Sequence, residues 1–149
     1  MIGAWKFSSF LCGLLIAGAE VRAEPEAWMK KLRPNELAFE LSISNGCPIY
    51  AREFEETLLR NYHFTFMRQI PIMPGEPYLS IDIWCEQGAA LLPFTIVAQY
   101  EQIAEPYARA NLLGPSYDAS GAGYYRLVQA FESVVREALD DHIAANFDL

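Results

Sequence analysis

Few groups in this chain could carry chemistry. Histidine occurs twice, at His63 and His142, and His142 follows Asp140 and Asp141. A zinc site needs three or four ligands converging from separate elements. Neither histidine belongs to a His-Glu-x-x-His motif, a cysteine cluster or an acidic calcium loop. No metal site is therefore expected, and His142 is expected simply to complement the dipole at the end of a C-terminal helix. A nucleophile could come from Ser116 or Ser120 in GPSYDASGAG, but neither sits in Gly-x-Ser-x-Gly. A triad of Ser120, His63 and Asp82 can be assembled only from scattered residues. Ser120 reads better as a helix N-cap, with Gly121 and Gly123 easing the turn. The same glycines could cradle a phosphate at a helix N-terminus, yet no Lys-Ser/Thr follows them and no strand is predicted directly before them. No cofactor is expected. Glu53 with Glu56, and Glu137 with Asp141, are paired carboxylates. Acid–base work needs one of such a pair desolvated against the other, and on helix surfaces they read as solvated.

The aromatic residues stand out more than the titratable ones. In YLSIDIWCE, Leu79, Ile81, Ile83 and Cys85 alternate with Tyr78, Ser80, Asp82 and Trp84. If helices cover the aliphatic side, the second set looks outward, and an aromatic row carrying an acid suits a recognition surface. The candidate binding residues are Tyr78, Asp82 and Trp84, with Tyr107 and Tyr117 from the segment 105–123. The competing reading packs these rings against neighbouring strands.

These residues must be positioned by ordinary elements. ELAFELSIS (residues 36–44) alternates and predicts a strand; residues 50–61 predict a helix through Ala51, Phe54 and Leu58. HFTFMRQI (63–70) predicts a second strand, PIMPGEP a loop, and YLSIDIWCE and FTIVAQYEQI a hairpin. The stretch 105–123, rich in Gly, Pro and Ser, predicts a loop. From Tyr124 onward Leu127, Phe131, Val134 and Ala138 predict a long amphipathic helix. The order β-α-β-β-β-α predicts a single α+β domain over residues 36–149, with a mainly antiparallel sheet and both helices on one face.

The first 23 residues read as a secretory signal. Lys6 precedes an apolar stretch from Phe7 to Ala19, short of the ~20 residues that span a bilayer. Cleavage is allowed after Ala19 and favoured after Ala23, where Val21-Arg22-Ala23 ends the segment. Cys12 lacks the small preceding residue of a lipoprotein signal. Residues 24–35, with Pro25 and Pro34, form a lead-in.

Removal of Lys6, Arg22 and Glu20 with the signal takes the net charge from −8 to −9. Such a surface repels nucleic acid, and a basic partner would be steered toward it. Cys47 and Cys85 are the remaining thiols, expected to form a structural disulfide in an oxidising compartment. If the first helix returned the chain and the third strand ran back, the two cysteines would end at opposite edges, so the bond constrains the topology. No asparagine starts an Asn-x-Ser/Thr site, which favours a bacterial envelope.

Together these features predict an exported, periplasmic or secreted, non-catalytic binding or accessory protein. Its partner is expected to be another protein, without nucleic acid or stable membrane insertion. An inhibitor or immunity-type protein is one alternative, and a small serine-dependent hydrolase is the other.

Overall fold

A computed structural model describes residues 27–147 apart from Phe66. The expected signal segment 1–23, its expected cleavage site and the first part of the lead-in lie outside the described residues. The described chain runs through a 3-10 turn (Ala27–Met29), β1 (Glu36–Ile43), α1 (Ala51–Phe64), β2 (Arg68–Gln69), β3 (Pro77–Cys85), β4 (Pro93–Gln102), β5 (Asn111–Ala122) and α2 (Tyr124–Asn146). One sheet of order β2-β1-β3-β4-β5 forms. β1 pairs in parallel with β2 and β3, whereas the long pairs β3–β4 and β4–β5 are antiparallel.

Alternation decides which face the helices cover. Leu37 and Phe39 of β1, Leu79, Ile81 and Ile83 of β3, and Phe94, Ile96 and Ala98 of β4 point to one side, where α1 and α2 lie. α2 contributes Leu127, Phe131, Val134, Val135, Ala138 and Leu139, a stripe at helical spacing that is buried along its whole length. α1 meets it edge-on at Phe54–Phe131, ring centroids 4.7 Å apart. Each such aliphatic or aromatic side chain stabilises the fold by roughly 1.5–3 kcal/mol on full burial. The expected α+β domain with both helices on one face is the fold observed.

Two elements depart from the sequence reading. His63 and Phe64 are helical, because Tyr62, four residues after Leu58, extends the buried stripe of α1. The helix closes at Thr65, whose amide bonds back to the carbonyls of Asn61 and Tyr62. Among the described residues of 63–70, Arg68 and Gln69 alone are strand. The segment 111–122, expected as loop, is the edge strand β5. Its Gly114 and Pro115 fall where the register with β4 slips between Gln99 and Tyr100. A bulge on an edge strand accommodates both residue types.

The cysteines are bonded, S–S 2.08 Å with Cα atoms 4.9 Å apart. β3 does not run back relative to β1. Residues 70–76 carry the chain from β2 past the start of β1, so β3 runs parallel beside it, from Ala38↔Tyr78 to Ile43↔Ile83. The C-terminal ends of both strands therefore coincide, and Ser44 N–H donates to the Ile83 carbonyl at 2.9 Å as the chain turns toward Cys47.

Candidate interaction face

Because both helices take one side of the sheet, no described helix packs on the other. The register places that face in rows. Trp84, Thr95 and Ser120 form the row nearest the disulfide; Ser42, Asp82, Val97 and Asp118 form the next. Glu40, Ser80, Gln99 and Ser116 follow, then Ala38, Tyr78, Glu101 and Leu112. The face thus carries four carboxylates, and the strands β1, β3, β4 and β5 contain no lysine, arginine or histidine. Cations of the described chain sit on the helices, the lead-in, β2 and the loops.

Trp84, in the end row beside the row of Asp82 and Asp118, is exposed at 48% of its full area. Asp82 is half-buried, and burial pushes its carboxyl up from the ordinary value; a hydrogen bond with Ser42 opposes this and the Glu101 charge adds to it. Glu40, Ser42, Thr95, Ser116, Asp118 and Ser120 are exposed. Not every residue of the face is accessible. Tyr78 is 2% exposed, and Ser80 is also buried. The Tyr78 hydroxyl donates to Glu101 Oε2 at 2.7 Å, and burial followed by that hydrogen bond holds its phenol protonated above the usual range.

The other candidates do not join this site. Tyr117 points to the helix side, where it is buried and its hydroxyl donates to Asp141 Oδ2 at 2.6 Å. Tyr107 is fully exposed in the β4–β5 connection, at φ 70°. Asp82 and Trp84 thus lie outward as expected, Tyr78 shares their face but is covered, and Tyr117, expected in a loop, is a strand residue facing the core. For Tyr117 the cause is its pairing with Ala98, which places it on the core side of β5.

The catalytic combinations drawn from sequence are separated by the sheet. Ser120 lies on the open face, opposite Thr95, whereas His63 belongs to α1 on the covered face. Ser120 is a strand residue and not a cap; the N-cap of α2 is Gly123, with no side-chain hydrogen bond. The glycine-rich stretch forms no phosphate cradle, since Gly121 lies in β5 against the Phe94 ring. Glu56 pairs with Arg52 at 2.9 Å, Glu53 accepts the Tyr124 hydroxyl at 2.8 Å, and Asp141 accepts that of Tyr117. The first two are surface partnerships of ordinary kind, and the third ties a buried tyrosine to α2. His142 is not an exposed dipole partner; it is 1% exposed and bonded to the lead-in. The sequence does contain a signal for this, because His142 falls on the buried stripe of Ala138, Leu139 and Ala145.

No known protein family matches the chain, and no curated protein matches it in sequence. Among solved structures, the hypothetical protein CT253 from Chlamydia trachomatis is similar, with 11% identity and a TM-score of 0.42. The match covers 74% of this chain and 96% of that one.

Proposed function

We propose that this protein is an exported, non-catalytic accessory protein that binds a basic protein partner through the open face of its sheet. The observation that carries the reading is charge segregation around an exposed aromatic. Asp82 and Asp118 occupy the row next to Trp84, Glu40 and Glu101 lie in the two rows beyond, and no cation shares those strands. A tryptophan framed by polar groups is a favoured anchor at protein interfaces, and a single-signed field speeds encounter with the opposite sign. Ser42, Ser80, Ser116 and Ser120 share the face, but no histidine or lysine stands beside them to take a proton, which supports binding over nucleophilic catalysis. Export rests on the pattern of residues 1–23 and is supported by the cysteine pair.

The test is affinity capture from an envelope extract of the natural host with three baits: wild type, Trp84→Ala, and Asp82→Asn with Asp118→Asn. A basic partner should be held by wild type and released by moderate salt. Trp84→Ala should weaken its affinity by about 30-fold, the size of a ~2 kcal/mol anchor. The double carboxylate variant should bind with a weaker salt dependence, two of the four charges being removed. Equal retention by all three baits places the binding surface elsewhere.

A further inference from the structure

We propose that residues 27–34 are a pH-sensitive strap, locked across the C-terminal turns of α2 by neutral His142 and freed when His142 takes up a proton.

Two side chains of α2 hold the strap. His142 Nε2 lies 2.8 Å from the carbonyl oxygen of Pro34. A carbonyl can only accept, so Nε2 carries the hydrogen and the neutral ring keeps its lone pair on Nδ1. Asn146, one turn later, clamps two further backbone groups: its Oδ1 accepts from Lys31 N at 2.8 Å, and its Nδ2 donates to the Met29 carbonyl at 2.9 Å. The same Nδ2 lies 3.4 Å from His142 Nδ1. Asn146 and His142 therefore work as a unit, with the amide facing the imidazole lone pair. At the far end Trp28 lies over Gly114 and against Tyr100, ring centroids 5.4 Å apart.

Protonation breaks this arrangement at a defined atom. A hydrogen on Nδ1 would meet Asn146 Nδ2, a donor that cannot accept it and whose own hydrogens go to the Met29 and His142 carbonyls, each at 2.9 Å. The new cation also has no carboxylate among its partners. From the strap, Lys31 faces it with a charge of the same sign; that ammonium is buried, 3.1 Å from Glu76 Oε2 but out of hydrogen-bond alignment with it. From β4, Tyr100 stacks on the ring at 6.4 Å, and its own hydroxyl is committed to the Ala138 carbonyl at 2.6 Å. On α2 itself the neighbouring Asp141 is engaged by Tyr117 of β5. Against these, the Pro34 carbonyl is the favourable contact that a charged imidazole keeps. Burial, opposed by the Pro34 bond and reinforced by Lys31, lowers the His142 value from 6.5. A group whose folded value is depressed favours docking above its free value and loses that contribution as the pH falls through it. The strap is therefore held at pH 7.5 and loosened between 6.5 and the lowered value.

Hydrogen exchange of the whole protein at pH 7.5 and pH 5.0, corrected for intrinsic rates, tests this. Protection of the Lys31 amide and its neighbours should be lost at the lower pH, while β3 and β4 amides keep theirs. His142→Gln replaces the ring with a neutral amide donor and should hold the strap equally at both pH values. Because that variant alters a buried site, the wild-type imidazole is also titrated by NMR; its proton uptake should coincide with the loss of strap protection. Unchanged strap protection at pH 5.0, imidazole titration separated from release, or a pH-dependent strap in a folded Gln variant would each overturn the proposal.

Discussion

Cys47 and Cys85 come together because β1 and β3 run side by side in the same direction, bringing their ends to one edge with 4.9 Å between the Cα atoms. The loop they close spans 38 residues of separation. On the chain-entropy account, closing such a loop in the unfolded chain is worth about 3–4 kcal/mol. Reduction, or Cys47→Ser with Cys85→Ser, should lower Tm by roughly 10 °C in a domain of this size, leaving the sheet rows unchanged. Thermal melts with and without reductant check this, and a thiol assay on denatured, unreduced protein cut after Ala23 should find no free group.

Tyr62 and Tyr100 are both buried phenols; the Tyr100 hydroxyl is bonded to the Ala138 carbonyl at 2.6 Å, whereas that of Tyr62 has no hydrogen-bond partner among the described residues. Removing a satisfied buried hydroxyl loses its bond and orphans the acceptor, whereas removing an unsatisfied one relieves desolvation. Tyr100→Phe should therefore destabilise by about 1–2 kcal/mol, and Tyr62→Phe should be neutral or stabilising. Urea denaturation of both variants decides it.

Gly114 has φ +67°, and a Cβ built there would meet Trp28 Cζ2 at 2.3 Å. Gly114→Ala should cost about 1–3 kcal/mol through backbone strain and displacement of the indole. In a Trp28→Ala background the steric part disappears, leaving the strain alone. A double-mutant cycle by chemical denaturation should therefore show coupling of opposite sign to an attractive contact.

Burial raises the Asp82 carboxyl above its ordinary 3.8. A carboxyl raised on folding binds its proton more tightly in the native than in the unfolded state, so its contribution to stability falls as pH rises through that range. Asp82→Asn should raise Tm at pH 7 relative to wild type and change it little near pH 3.5. An equal shift at both pH values would remove the electrostatic explanation.

Export makes a chemical prediction about the N-terminus. Protein isolated from its host should begin at Glu24 by intact mass, and retention of residues 1–23 would remove the reason for an oxidising compartment.

Local periodicity was enough to read several elements from sequence. The alternation in residues 36–43, 77–85 and 93–102 marks which side chains share a face, since successive Cβ atoms point to opposite sides of a strand. The spacing of Leu127, Phe131, Val134 and Ala138 marks α2 for the equivalent helical reason. The cysteine pairing was legible from the cysteine count and the compartment that the N-terminal pattern predicts. What alternation cannot report is what lies above a face, so Trp84 and Tyr78, six residues apart on the same side of β3, read alike although one is exposed and the other buried.

Tertiary structure decided the rest. β5 is a strand because β4 offers it a ladder and an edge tolerates its bulge, although Gly114 and Pro115 speak locally for a loop. Tyr62 keeps residues 63–64 helical because Phe39 and the core receive its ring, centroids 5.6 Å apart across elements. The parallel neighbourhood of β1 and β3 depends on the path of residues 70–76, and the lead-in becomes a strap only where Asn146 and His142 meet it more than 100 residues later. Each of these is a pairing between distant segments, whose free energy arises from packing and hydrogen bonds that exist only after the chain has closed on itself.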